Sequence, residues 1–385
     1  MLTLAVELLV VVGSLLVLVY QGVAIVFSYQ MPELRPDPVA SAAGPRPSVS
    51  VVIAARDEGL DLPGTLDAVL AQEYPDLEVL VVEGGSTDST RAEILARAPR
   101  VRLVEEPPLP AGWVGKNWAC WTGAQAARGE WLLFLDADVH LHPAAVRTLQ
   151  GYAAREGADL ASLAPRVEMR GFWEQVVLPF TVQMVLTYFR APRVNRDGSH
   201  AAMANGQCWL TPAAVYRAEG GHAAVRGIVL EDVAIARRYR ADGRRLRVAW
   251  SPELATTRMY RDRHEMFEGL LKNVHDTRFS ATRQLGLLVG LVALFWLPLG
   301  VLPLGVLTAS PLLIGLGAFL WIALFGKHAG FAHGIGGSAA AGLLYPVAVG
   351  FYAVVLATSL ARGLRGRPVA WKGREYPTSG AQGPN

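Results

Sequence analysis

The run Trp131-Leu-Leu-Phe-Leu135 is apolar throughout and stops abruptly at two carboxylates, Asp136 and Asp138. So short and continuous a run reads as a strand covered on both faces, the pattern of a parallel sheet between helices. In extended chain, residues two apart point to one side, so Asp136 and Asp138 could share a cation at the strand's carboxyl end. Oxygen ligands of this kind suit Mg2+ or Mn2+, which carboxylates and phosphates can bridge. A solvated Asp-x-Asp turn would carry the same letters, so the neighbouring sequence has to decide.

Upstream, Val49-Ser-Val-Val-Ile-Ala-Ala55 predicts a first strand ending at Arg56-Asp57-Glu58-Gly59. Leu62–Gln72 predicts a helix and Leu77–Val82 a second strand, followed by Glu83-Gly-Gly-Ser-Thr-Asp88. Thr90 and Glu93 have capping-box spacing for the next helix. Arg100–Glu105 predicts a third strand, Trp118–Arg128 a helix and Trp131–Leu135 the fourth strand. Strand and helix in repeated alternation imply an α/β fold, a Rossmann-like, mostly parallel sheet covered by helices. Ligands of such sheets sit beyond the strands' carboxyl ends. Asp57, Glu58, Glu83, Asp88, Asp136 and Asp138 all fall there, and that convergence favours a site over a solvated turn.

At 52% hydrophobic and 18% charged residues, with a mean hydropathy of +0.28, the composition points to membrane segments. Leu8–Val26 carries no charge and is about long enough to span; without an early basic region it reads as an uncleaved anchor rather than a signal peptide. Three later apolar stretches follow, Leu285–Leu307, Leu312–Phe325 and Ala339–Leu360. The expected organisation is an anchor over 1–30, a Pro- and Ala-rich linker over 31–47, a catalytic domain over 48–280, transmembrane segments over 281–361 and a basic tail over 362–385. Three late crossings would place Arg362, Arg365, Arg367, Lys372 and Arg374 opposite the domain, against the positive-inside rule. Leu312–Phe325, the shortest, is therefore expected to be re-entrant or tilted. The net charge of +3, without a basic and aromatic array, gives no sign of nucleic acid binding. Cys120 and Cys208 have no metal or redox spacing and read as buried thiols.

Val51-Val-Ile-Ala-Ala-Arg-Asp-Glu58, Tyr74-Pro75, Val81-Val-Glu-Gly-Gly-Ser-Thr-Asp-Ser-Thr90, Phe134-Leu-Asp-Ala-Asp138 and Leu230-Glu-Asp232 resemble, in that order, a family 2 glycosyltransferase of GT-A fold. Gly112-Trp-Val-Gly-Lys-Asn-Trp-Ala-Cys120, Gly220-Gly-His222, Arg258-Met-Tyr260 with Gly269–Asn273, and Trp371-Lys-Gly-Arg-Glu-Tyr376 are similar to its membrane-bound branch. That branch includes diaponeurosporenoate-type carotenoid and hopanoid-associated glycosyltransferases. The resemblance implies a nucleotide-sugar donor, a UDP-hexose, and inversion at the anomeric carbon. It also implies a divalent metal and an isoprenoid lipid acceptor such as a carotenoid. A multi-pass protein of the cell membrane with a cytoplasmic catalytic domain follows, because nucleotide sugars are cytoplasmic.

By the same likeness Ala55, Arg56, Asp57, Glu58 and the Glu83 loop would hold the nucleoside, Asp136 and Asp138 the metal and diphosphate, and Asp232 would be the base beside Glu231. The family pattern after the second strand has two acidic residues and then glycine. Here it is Glu83-Gly84-Gly85, so Glu83 is expected to reach in for the missing carboxylate. Lys116, equally readable as an exposed lysine, and Arg374, if Trp371–Tyr376 folds back to the catalytic face, are further candidate phosphate contacts. Glu231 and Asp232 also suit a helix N-terminus. His222, ahead of His140 and His142, is the candidate third metal ligand. The arginines from Arg237 to Arg247 read as a solvated helix end or an anionic-lipid contact, and Phe172–Phe189 as an interfacial or a buried core helix. The alternatives are a polyprenyl-phosphate or polysaccharide transferase, although the Gln-x-x-Arg-Trp signature of processive synthases is absent, and a non-catalytic membrane protein with a decayed transferase domain.

Overall fold

The computed structural model describes residues 2–37, 46–274, 281–367, 369–371 and 374–376. After helix α1 (Leu2–Tyr29) come β1 (Val49–Ala55), α2 (Leu62–Leu70), β2 (Leu77–Glu83), α3 (Thr90–Leu95), β3 (Arg102–Glu105), α4 (Gly115–Ala126) and β4 (Trp131–Asp136). The second half of the domain adds β5 (Val139–Leu141), α5 (Ala145–Glu156), β6 (Leu160–Val167), α6 (Phe172–Tyr188), β7 (Cys208–Pro212), α7 (Glu231–Ala241), β8 (Leu246–Thr257) and α8 (Arg263–Val274). These eight strands form one sheet in the order β3-β2-β1-β4-β7-β6-β8-β5. β3, β2, β1 and β4 run parallel. β7 enters antiparallel to both β4 and β6, and β6 pairs parallel with β8, so the sheet is mixed beyond β4.

Alternation along the strands sends side chains to two helix layers. Val51, Ile53, Leu133 and Leu135 pack with Leu62, Leu66 and Leu149, while Val52, Leu80, Leu132 and Phe134 pack with Cys120, Ala124, Trp209 and Ile235. Both cysteines are buried free thiols. Helix α4 starts three residues before its predicted start, because the buried Asn117 amide donates to the carbonyls of Val225 (2.8 Å) and Ile228 (2.9 Å). The predicted capping box is not made. Ser89 is the N-cap, the Thr90 hydroxyl accepts from Glu58 N–H at 2.7 Å, and Glu93 pairs with Arg97 at 2.9 Å.

Four helices are long and apolar enough to cross a membrane: Ala5–Tyr29 within α1, α9 (Ala281–Leu307), α10 (Pro311–Gly334) and α11 (Tyr345–Leu364). The segment at Leu312–Phe325 is longer than its apolar letters implied, since it lies inside a 24-residue helix. The sequence reading stopped at Gly326-Lys327-His328, yet these continue the helix. Lys327 is bonded to Gln21 of α1, and His328 is buried and stacked on Tyr345 with ring centroids 4.2 Å apart. Helix α6 is the buried alternative. Val177, Leu178 and Phe180 join Phe295, Tyr345 and Val349 of the apolar helices in a third core. The linker is partly strapped down, since Trp250 N–H donates to Pro32 O and Leu34 N–H to Trp250 O, both at 2.8 Å. The arginine cluster is used internally: Arg244 pairs with Glu219 (2.8 Å), Arg247 with Glu156 and Asp197 (3.0 Å each), and Arg238 bonds Glu219 O (2.7 Å). After α11, a hairpin of β9 (Val369–Trp371) and β10 (Arg374–Tyr376) turns back so that β9 lies against α8. The Arg374 side chain lies outside the described residues.

Candidate active site

A cavity of about 680 Å³ opens at the carboxyl ends of the parallel strands. β4 stops at Asp136, and a turn through Ala137 carries Asp138. The two carboxylates therefore share the cavity wall by way of a turn, where the sequence reading had an extended strand. Ala137 is buried, and its carbonyl accepts the Thr65 hydroxyl at 2.7 Å, which fixes the turn. Thr257, at the end of β8, donates to Asp138 Oδ2 at 3.2 Å. Burial, then Asp136 and Glu58 nearby, push the Asp138 carboxyl up to about 7. So much negative charge facing one cavity is what a cation would relieve.

Lys116, in the first turn of α4, sends its ammonium between Asp136 Oδ1 (2.7 Å) and Glu231 Oε1 (3.0 Å). Burial opposes its charge, but Asp136 and Glu231 outweigh that and hold it well above the usual lysine range. Glu231 and Asp232 open α7, and both line the cavity. Asp232 accepts from Gly206 N–H (2.7 Å) and Val233 N–H (2.8 Å). Burial and the neighbouring Glu231 push its carboxyl up to about 7. A carboxylate of that basicity, within reach of a bound molecule, can act as a general base near neutral pH.

Ala55, Arg56 and Glu58 also line this wall. Asp57 does not. At φ 52° its chain turns away, and its carboxylate accepts from Thr87 N–H at 2.8 Å, stapling two loops together. Glu83 is likewise withdrawn from the lining, 5% exposed, accepting from Ser86 N–H at 2.5 Å with Arg91 at 3.6 Å. It does not reach for the carboxylate missing at Gly84. Glu106 does line the cavity; nothing in its sequence context singled it out, because the neighbourhood that matters is the next strand over.

His222 corrects the metal-ligand expectation. It is 1% exposed, its Nδ1 lies 2.8 Å from the Tyr216 hydroxyl, and its ring sits among Phe134, Trp209 and Tyr216. Burial holds it down at about 3, a neutral core histidine. His140 covers Gly64, and His142 Nδ1 accepts from Ala144 N–H at 3.1 Å. Among the described residues no three His, Cys, Asp or Glu side chains gather as a closed metal cage. Asp136 and Asp138 nevertheless fit a hard divalent cation that takes its remaining oxygens from a bound phosphate.

The cavity then runs away from the carboxylates along an apolar wall of Val182, Val185, Leu186 and Phe189 on or just after α6 and Phe331 and Ile335 on or just after α10. Arg258, also lining it, forms a two-bonded pair with the buried Glu174 of α6 (2.9 and 3.2 Å).

The family model described as Glycosyl transferase family 2 matches residues 50–218. A 4,4'-diaponeurosporenoate glycosyltransferase from Staphylococcus aureus (strain bovine RF122 / ET3-1) is 30% identical over 197 residues, covering 50% of this chain and 51% of the relative. The same-named protein of strain USA300 is 28% identical over 220 residues, 56% of this chain and 57% of the relative. The alignments thus span about half the length of these curated relatives. A mannosyltransferase from Pyrobaculum calidifontis, solved in complex with GDP-Man and Mn2+, superposes with a TM-score of 0.54 at 18% identity over 94% of this chain and 98% of its own. At that identity it speaks for the fold, the expected GT-A architecture with membrane-length helices at both ends. Residues 50–218, with their parallel strands ending in Asp136 and the turn to Asp138, are thus the part of the chain that is similar to glycosyl transferase family 2.

Proposed function

We propose that this protein moves a sugar from a nucleoside-diphosphate sugar, a UDP-hexose by resemblance, to an isoprenoid lipid acceptor with inversion at the anomeric carbon. The observation that carries the reading is a single cavity joining an acidic, strand-end wall to an apolar wall on α6 and on α10, the latter a helix of membrane length. A polar donor and an amphiphilic acceptor need those two surfaces side by side. The relatives' printed names support a carotenoid-type acceptor.

Asp136 and Asp138 would hold Mg2+ or Mn2+. The bound ion would neutralise the charge that the departing diphosphate develops. The Lys116 ammonium, anchored by Asp136 and Glu231, adds a fixed positive charge at the same wall. Such preorganised electrostatics are usually the largest catalytic term. Where the acceptor offers a hydroxyl, Asp232, held by two backbone N–H groups, takes its proton as the oxygen attacks; a carboxylate acceptor needs no base. Ala55, Arg56 and Glu58 form the donor wall on the β1 side. The catalytic domain faces the cytoplasm, where the donor is, and the chain is a multi-pass protein of the cell membrane.

Calorimetric titration of UDP-glucose into the detergent-solubilised full chain, with and without Mn2+, tests this together with sugar transfer to lipid extracts. Metal-linked binding is expected in the native protein, with a loss of about 100-fold or more in transfer for Asp138→Asn. Donor binding indifferent to the metal, or full transfer by Asp138→Asn, would sink the reading in favour of a non-catalytic membrane protein.

A further inference from the structure

β2 ends at Glu83, and the next residue has no side chain. A Cβ built on Gly84 would come within 2.8 Å of Glu106 Oε2, and within 3.5 Å of Ala55 O and Arg56 Cβ. The space beside Gly84 is therefore filled by a carboxylate from the neighbouring strand end. Glu106 follows directly on β3, and its N–H donates to Glu83 O at 3.1 Å, carrying the ladder one residue past the strand. The next residue is held as well, because the Trp118 indole donates to Pro107 O at 2.8 Å. On the other side Arg56 Nη1 donates to Gly84 O at 3.1 Å. The half-buried Glu106 carboxylate is thus set on a framed platform, and it lines the cavity.

Its place across the sheet gives it a meaning. In the order β3-β2-β1-β4, Glu106 follows the strand three places from the one that ends in Asp136. Neighbouring strands lie about 4.8 Å apart, so the two strand ends are separated by roughly 14 Å. A nucleoside diphosphate whose phosphates lie at Asp136, Asp138 and Lys116, and which extends over β1, brings its base to the edge where Glu106 stands.

We propose that Glu106 selects the donor's base, accepting a hydrogen bond from a ring N–H on the base's pairing edge; this rests on the nucleotide-sugar reading above. An ionised carboxylate only accepts. Uracil and guanine carry a ring N–H on that edge, whereas cytosine and adenine carry a ring nitrogen lone pair there, which the carboxylate repels. Gly84 leaves the space in which the Glu106 carboxylate stands.

The test is competition by UDP, GDP, CDP and ADP for metal-linked nucleotide binding to the full chain in detergent with Mn2+. The native protein should favour UDP or GDP over CDP and ADP by about tenfold or more. Glu106→Ala should erase that preference, while Mn2+-linked binding of inorganic diphosphate, which reports the folded phosphate end, stays within about twofold of native. Gly84→Asp alone should weaken all nucleotides through repulsion with Glu106, and Gly84→Asp with Glu106→Ala should restore the preference. Retained preference in Glu106→Ala overturns the proposal, as does equal weakening of all four nucleotides, which would mark a ribose contact. If no nucleotide binds the native protein, the donor reading fails first and this one with it.

Discussion

Lys116 illustrates how one side chain can unite distant sequence. It sits at the start of α4 but touches carboxylates from β4 and α7, so the cation is shared by the proposed metal and base regions. Lys116→Met leaves Asp136 and Glu231 facing one another without that charge; we expect a fall in transfer of about 10- to 100-fold, with steady-state kinetics as the measure. As the proposed base, Asp232 would set a pH dependence. Its carboxyl is pushed up to about 7, and a base works only when deprotonated. Transfer to a hydroxyl acceptor should therefore rise as pH climbs through about 7 and fall below it. Asp232→Asn should lose about 10²- to 10⁴-fold together with that pH limb, while donor binding persists. A pH–rate profile on both proteins decides; a limb surviving in Asp232→Asn would assign it to another group.

Helix α6 is the hinge piece of the architecture. One face is buried against the apolar helices, and its first turn is tied to the end of β8 through Glu174 and Arg258. Glu174 is 1% exposed, and the arginine holds its carboxyl below the usual range even though burial works against ionisation. Removing Arg258 leaves a buried charge without its partner. Arg258→Ala should cost about 3 kcal/mol, read as a lower unfolding midpoint, whereas Glu174→Gln with Arg258→Met should cost clearly less. Gly269 of α8 makes a second close approach, since a Cβ there would lie 2.4 Å from the Tyr260 ring. The Arg258-Met-Tyr260 motif thus doubles as the fastening between the sheet and the helices that continue the cavity.

Taken whole, the molecule sets its chemistry at the seam between an α/β sheet and a helix bundle. The apolar end of the cavity is made by α6 and α10 and their flanks; under the proposed function the acceptor would arrive along the bilayer and the donor from water. A bulky change there should act on the acceptor alone. Leu186→Trp is expected to raise the apparent KM for a lipid acceptor by about tenfold and to leave Mn2+-linked donor binding unchanged; equal effects on both would argue for one merged site.

Local pattern was enough for the four parallel strands, because continuous apolar runs ending in polar loops have few other uses, and for α1 and the late apolar helices, because about 20 apolar residues are hard to bury elsewhere. The Asp136–Asp138 pair and the Glu231–Asp232 helix start were legible for the same reason, each lying at the end of an element. Contacts between elements were not. The burial of His222 under Tyr216, the extension of α10 through Lys327 and His328, the withdrawal of Asp57 and Glu83 into their loops, and the approach of Glu106 to Gly84 all depend on partners far away in the chain. A side chain's protonation and hydrogen bonds follow from what folding places beside it, and one-dimensional spacing carries no record of that.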